Sequence, residues 1–118
     1  LKKQDFEGAV KHLLKVEIKG KKLEPLKKLK NYFISVAYIG LNNQKEFQKS
    51  INELLSYGGY WALLGHELRG HFLFEKGQLL EAKKDFNKII NEQLSTQSLR
   101  ARAQEMLNNI NLNDEGNS

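Results

Sequence analysis

Residues 60–92, YWALLGHELRGHFLFEKGQLLEAKKDFNKIINE, decide the fold. Gly77 divides this stretch into two helical segments. After the glycine, Leu79, Ala82, Phe86, Ile89 and Ile90 recur at i, i+3, i+7, i+10 and i+11. That is one apolar stripe on a helix of 3.6 residues per turn. Before the glycine, Trp61, Leu64, Leu68 and Phe72 fall on one side, and Leu63, His66, Gly70 and Leu73 on another. A helix apolar over more than half its circumference belongs between neighbours. Gly70 and Ala82 lie near the middle of the two segments, where small residues let helix axes approach closely. The expected product is a helix–turn–helix hairpin with its crossing at those two residues.

The pattern continues on both sides. Asp5 to Ile18 reads as a helix with Phe6, Ala9, Val10, Leu13, Leu14 and Val16 on a wide apolar face. Gly20, Lys21 and Lys22 interrupt it. Pro25 suits the first turn of a second helix, which runs to about Gly40 with Leu26, Leu29, Phe33, Val36 and Ala37 inward. Asn42 and Asn43 are turn residues. Phe47, Ile51, Leu54 and Leu55 mark a third helix, closed by Gly58-Gly59. The last helix starts at Ser95 or Thr96, either of which can cap it. It carries Leu99, Ala103, Met106, Leu107 and Ile110 on one face and Arg100, Gln104 and Asn108 on the other. The hairpins starting near Pro25 and Tyr60 lie about 35 residues apart, as stacked helical hairpins require. In the first of them Ser50 takes the place that Ala82 holds in the second. The reading is one all-α domain over 1–110, six helices in stacked antiparallel hairpins, with a polar, disordered tail at 111–118.

Composition excludes several classes. The chain has 118 residues, 40% hydrophobic and 28% charged, the balance of a folded domain with its own core. No apolar run reaches the ~20 residues of a membrane span. There is no Cys, which removes disulfides and thiolate metal sites and leaves the compartment open. The formal charge of +5 is uneven. Residues 1–30 hold ten Lys and four acids (10 − 4 = +6), and the remainder holds nine Lys or Arg and ten acids (9 − 10 = −1). A basic end of this kind attracts nucleic acid or anionic lipid. Equally, it is a solvated Lys-rich face, since Arg, the better residue for planar phosphate contacts, is absent from it.

The catalytic and metal motifs fail on spacing. His66-Glu67-Leu68-Arg69-Gly70-His71 looks like a zinc HExxH with one residue too many. Residues four apart lie roughly 40° apart around a helix and residues five apart roughly 140°, so His66 and His71 point to different sides. Ser35, Ser50 and Ser56 have no base and orienting acid at a recognisable spacing. Gly58-Gly59 lacks the spacing and the following Lys of a phosphate loop. No enzyme activity, cofactor, metal or small-molecule substrate is expected.

Residues 60–92 resemble the tetratricopeptide repeat, a helical hairpin of about 34 residues. Gly70, Gly77, Ala82 and Phe86 stand where that family has its small helix A residue, turn glycine, helix B alanine and aromatic. His66 stands at the opening aromatic position, Arg69 at the following leucine position, and Ser95 or Thr96 at the closing proline. QDFEGAVKHLLKVE resembles a helix B with Ala9 in the alanine place, which puts its helix A upstream of Leu1. The order LRG at 68–70, KGQLLEA at 76–82, Phe86 and SLRARAQEML at 98–107 is similar to the bacterial tetratricopeptide-like proteins related to the ancillary subunit of the SecYEG translocon. The resemblance implies a short right-handed solenoid and a non-enzymatic protein-interaction module. It further implies a protein or peptide partner, such as the translocon or a periplasmic chaperone. The place implied is the periplasmic face of an inner membrane, held by an anchor outside this sequence, with a cytoplasmic module as the alternative. Helix A residues line the concave partner-binding surface of the family, so Leu64, Glu67, His71 and Phe74 are the expected groove. The competing function is a basic helical domain that binds nucleic acid or anionic lipid through its Lys-rich N-terminal end.

Overall fold

A computed structural model describes residues 3–15 and 24–116. The described residues form six helices and no strand: α1 (Lys3–Lys15), α2 (Glu24–Leu41), α3 (Gln44–Ser56), α4 (Gly59–Glu75), α5 (Leu79–Asn91) and α6 (Gln97–Gly116). Consecutive helices pack in pairs, α1 on α2, α2 on α3, α4 on α5 and α5 on α6. The fold class is therefore all-α, a set of helical hairpins. The chain divides into two compact units on either side of the Tyr57–Gly58 peptide, where the sequence reading took 1–110 as one domain. The helix expected over 16–18 and its break at 20–22 lie outside the described residues.

The repeat is sharper in the structure than in the sequence. Helices α2 and α4 begin 35 residues apart (59 − 24), and α3 and α5 also begin 35 apart (79 − 44). The two turns close in the same way. Asn42 and Gly77, again 35 apart, carry φ of 55° and 77°. At the first turn the Asn42 N–H donates to the Ile39 carbonyl (3.0 Å) and the Asn43 N–H to that of Tyr38 (3.1 Å). At the second, the Gly77 N–H donates to Phe74 (3.0 Å) and the Gln78 N–H to Leu73 (2.9 Å). Each is a Schellman motif, in which a left-handed residue lets the chain satisfy the last helical carbonyls. Glycine adopts that conformation freely, and Asn is the side chain that tolerates it best. Asn43 then caps α3, its Oδ1 accepting from the Glu46 N–H (3.2 Å).

With the offset fixed at 35, Ser50 corresponds to Asp85, and Phe47 corresponds to Ala82. Ser50, expected in the Ala82 place, falls instead in the Asp85 place. A buried polar contact recurs at equivalent places. In the first unit, Ser35 Oγ meets Ser50 Oγ at 2.8 Å, Ser50 Oγ donates to the Phe47 carbonyl, and Asn31 Nδ2 donates to the Ser50 carbonyl. In the second, His66 and Arg69 hold Asp85. Ala9 is exposed while Ala82 is fully buried, and Val10 is the buried residue of that turn.

The inward face of α2 differs from the expected one. Ile34, Ser35, Ala37 and Tyr38 are buried, whereas Leu26 is 48%, Leu29 38% and Phe33 50% exposed. From Asn31 to Leu41 the helix has no charged residue, so periodicity cannot choose a side. The Ser35–Ser50 contact does, because a buried hydroxyl needs a partner. The helix ends at Leu41, within one residue of the expected end near Gly40. The ring of Phe6 on α1 occupies the space where a Gly40 Cβ would stand.

The second unit is built the same way around Phe86. Its ring lies against Gly70, so that a Cβ there would stand 2.7 Å from the ring. The core is Leu63, Ala82, Phe86, Ile89, Leu99 and Ala103, continued by Leu107 and Ile110, with Met106 packed at its edge. Thr96 caps α6, its Oγ1 accepting from the Leu99 N–H (3.1 Å). Ser95 is buried and donates to the Ile89 carbonyl (2.6 Å). Arg100, placed by its spacing on the wet face, reaches back to the Glu92 carbonyl (2.7 Å) at the end of α5. The expected tail at 111–118 is helical through Gly116. Once Leu99 to Ile110 are anchored, each added residue needs only one more backbone bond to extend the helix.

Two outcomes follow. Gly70→Ala gains up to ~1 kcal/mol of helix propensity and loses more by overpacking against a ring with no room to move. The expected net cost is about 1–2 kcal/mol, read as a melting temperature several degrees lower; an unchanged or higher value would refute the contact. Truncation after Glu92 strips α6 from Phe86 and Ile89 and should give an aggregating or non-cooperative fragment, which light scattering and a thermal melt would detect.

Candidate interaction surfaces

Of the four residues expected to form a groove, all of which lie on α4, Glu67 is buried and Leu64, His71 and Phe74 are half-buried. Glu67 is only 8% exposed. Its carboxylate accepts a fork of two bonds from Arg102 on α6, at 2.8 and 3.2 Å. His71 sets its ring edge-on to Phe86, with centroids 5.4 Å apart. Phe74 is partly buried against the core of the second unit, and Leu64 is partly buried as well. Helix α6 claims the carboxylate because Arg102 enters at the level of Glu67, a pairing 35 residues apart in sequence that no local pattern displays.

The opposite flank of α4 holds a buried charge. Asp85 on α5 is 3% exposed. His66 Nδ1 lies 2.8 Å from its Oδ1, and Arg69 donates to the same carboxylate through Nε (3.0 and 3.1 Å) and an Nη nitrogen (2.7 Å). Burial alone would raise the carboxyl pKa. Hydrogen bonds from His66 and Arg69, with the Arg69 charge, outweigh it and hold Asp85 below its ordinary value. The same hydrogen bond raises Arg69, against the opposing effect of burial. The two histidines of the stretch thus have different partners, His66 a carboxylate and His71 a ring, as their angular separation requires. Among the described residues no three His, Cys, Asp or Glu gather as a metal site would need.

An Asp–His pair invites comparison with a nucleophile's orienting half. Ser95 and Ser98 of this unit have other engagements. Ser95 donates to the Ile89 carbonyl, and Ser98 accepts from Arg102 (3.0 Å). In the first unit Ser35 and Ser50 meet each other, and Ser56 donates to the Glu53 carbonyl. The cluster locks α4 to α5.

The open apolar surface lies elsewhere, between α1 and α2. Phe6, Ala9, His12 and Leu13 from one helix and Phe33, Val36 and Ala37 from the other line a groove of about 380 Å³. Phe33 is 50% exposed within it. Apolar periodicity on α2 places Phe33 and Val36 inside and so gives no sign of this surface. The one signal available was the excess of apolar residues on α2 over what one buried face can use. Tyr57, at the end of α3, gives that unit a second marked feature. Burial, then the charge of Glu53 and a hydrogen bond to it, push the phenol up to about 12.

Compared with protein-family models, with curated proteins and with solved structures, the chain matches none.

The Asp85 cluster carries a pH signature. Its folded-state pKa is depressed, so its stabilisation is complete above the unfolded value near 3.9 and is lost as pH falls through the lower folded value. Asp85→Asn should cost about 2–3 kcal/mol at neutral pH, below the usual 3–5 for breaking a buried pair because Arg69 retains 30% exposure. It should also flatten the acid limb of a stability–pH curve. Equal acid limbs in the two proteins would show that the carboxylate is not the group titrating.

Proposed function

We propose that this chain is a non-enzymatic, tetratricopeptide-like interaction module that receives a partner segment in the groove between α1 and α2. The observation that carries the reading is the half-exposed Phe33, set with Val36 and Ala37 against Phe6, Ala9 and Leu13 in an uncharged cleft. Grooves between helices of this kind take the apolar face of an incoming helix or extended segment. The 35-residue offset shared by helix starts and left-handed turn residues supports the repeat assignment. So does the fate of its departures. His66 and Arg69, which replace apolar residues of the family pattern, share the buried Asp85.

The resemblance to translocon-associated repeat proteins supplies a setting for the module. That setting is the periplasmic face of a bacterial inner membrane, with the translocon or a chaperone as partner. No helix among the described residues is long and apolar enough to cross a membrane, so in this reading the anchor is contributed from beyond them.

A displayed library of helix-forming peptides tests the module directly. Selection on the wild-type chain should enrich sequences with apolar residues at i, i+3 or i+4, and i+7. The same selection on Phe33→Gln should lose them. A library that enriches nothing, or enriches equally on both proteins, would sink the groove reading.

A further inference from the structure

The Asp85 carboxylate does more than hold α4 to α5. Kept ionised by its donors, it can only accept, so His66 presents its Nδ1–H to it at 2.8 Å. The lone pair of the uncharged imidazole then lies on Nε2, which meets no partner among the described residues. The His66 side chain is 18% exposed, and it lines a cleft of about 120 Å³ in the second unit. Gly59, Ala62 and Leu63 line it from the same face of α4, seven, four and three residues before His66. Two of those three carry the smallest side chains, which leaves the recess open. Lys88 on α5, Glu92 and Leu94 close the other side. We propose that this cleft binds one phenol ring, its hydroxyl donating to His66 Nε2 and its ring lying against Ala62, Leu63 and Leu94.

Size, charge and hydrogen bonding all select that ligand. A cleft of about 120 Å³ is close to the ~150 Å³ apolar cavity that takes benzene, so it suits one six-membered ring. Lys88 and Glu92 pair with each other at 3.4 Å, and the cleft therefore offers no unbalanced charge to an ion. A carboxylate would also face the Nε2 lone pair. A ring without a donor would strip water from that nitrogen and return nothing. An aliphatic alcohol would satisfy it but cover less of Leu63 and Leu94. A lone pair on an imidazole oriented by a carboxylate also suits a metal ion. In the cleft, though, only Glu92 could join it, and no three such ligands gather among the described residues. The ring comes either from a free phenol or from a tyrosine side chain, which present the same group. The site lies wholly in the second unit and does not depend on the α1–α2 groove.

The test follows the Ala62, Leu63 and Leu94 methyl groups of the full chain by carbon–proton NMR. Phenol is titrated against toluene, which has nearly the same shape and no donor. Phenol should give saturable shifts with a dissociation constant on the order of millimolar, as a ligand of this size allows. Toluene should bind about fivefold more weakly, the worth of one hydrogen bond. His66→Asn keeps an N–H where Nδ1 stands and removes Nε2, so it should erase the difference between the two. Ala62→Leu fills the cleft, leaves the Asp85 contacts untouched and should abolish both; it carries the test if His66→Asn melts early. N-acetyltyrosine amide separates the sources. Binding at least as tight as that of phenol assigns the cleft to a tyrosine side chain, and its exclusion while phenol binds assigns it to a free phenol. Equal affinity of the wild-type chain for phenol and toluene, or a folded His66→Asn that still prefers phenol, would overturn the Nε2 contact. Methyl shifts that phenol does not move, or that survive Ala62→Leu, would overturn the cleft itself.

Discussion

A carboxylate out of water has to be answered, and Asp85 sets the terms for the second unit. Moving it from solvent costs several kcal/mol unless its oxygens are met by donors and opposite charge. Arg69 and His66, three residues apart on α4, satisfy that demand from one side of the helix. The pairing fixes how α4 is rotated and how far it slides along α5. With that register set, Phe86, the next residue in the chain, falls on Gly70, and His71 meets its ring. Glu67 is left on the other flank, where Arg102 of α6 can reach it. An apolar core of similar volume would hold these helices together at least as strongly. What the polar cluster adds is a single permitted register among several that α4, apolar nearly all round, would otherwise accept.

The first unit solves the same problem with weaker chemistry. Ser35, Ser50 and Asn31 stand where the second unit has Gly70, Asp85 and His66, each shifted by 35 residues. Uncharged hydroxyls and an amide carry a smaller desolvation cost and a smaller penalty for misalignment. The close approach of an aromatic ring to a glycine appears in both units. Here Phe6 on Gly40 joins α1 to α2, whereas Phe86 on Gly70 joins α4 to α5. Each glycine is kept by what leans on it and not by its backbone angles.

How much of this was legible depended on whether a residue's role is local. The hairpin at 60–92, the turn at Asn42-Asn43 and the stripe of α6 follow from periodicity and turn chemistry, and the structure has them. The helix end near Gly40 was legible, but the reason for a glycine there, the Phe6 ring on a different helix, was not. The orientation of α2 was undecidable from a run of eleven uncharged residues, 31–41. A serine contact made across fifteen residues selected it. The α4 groove residues were chosen by resemblance. Arg102, thirty-five residues on, accounts for Glu67, and nothing adjacent to Glu67 announces it. Polar residues on apolar faces were the informative anomaly throughout. His66, Arg69, Glu67 and Asp85 pair with one another or with Arg102, and a sequence reading that asks where each buried charge finds its partner would have looked for those pairs.

The division at Tyr57–Gly58 has an optical consequence. The single tryptophan, Trp61, lies on α4 in the second unit, and three of the four tyrosines, Tyr32, Tyr38 and Tyr57, lie in the first. Indole emission therefore originates in the second unit. Phenol absorbance is weighted towards the other, with Tyr57 distinguished by its late ionisation near 12. Coincidence of different probes is the standard criterion for a single cooperative transition. This chain carries its own pair of probes, one mainly on each side of the boundary, without any label being attached.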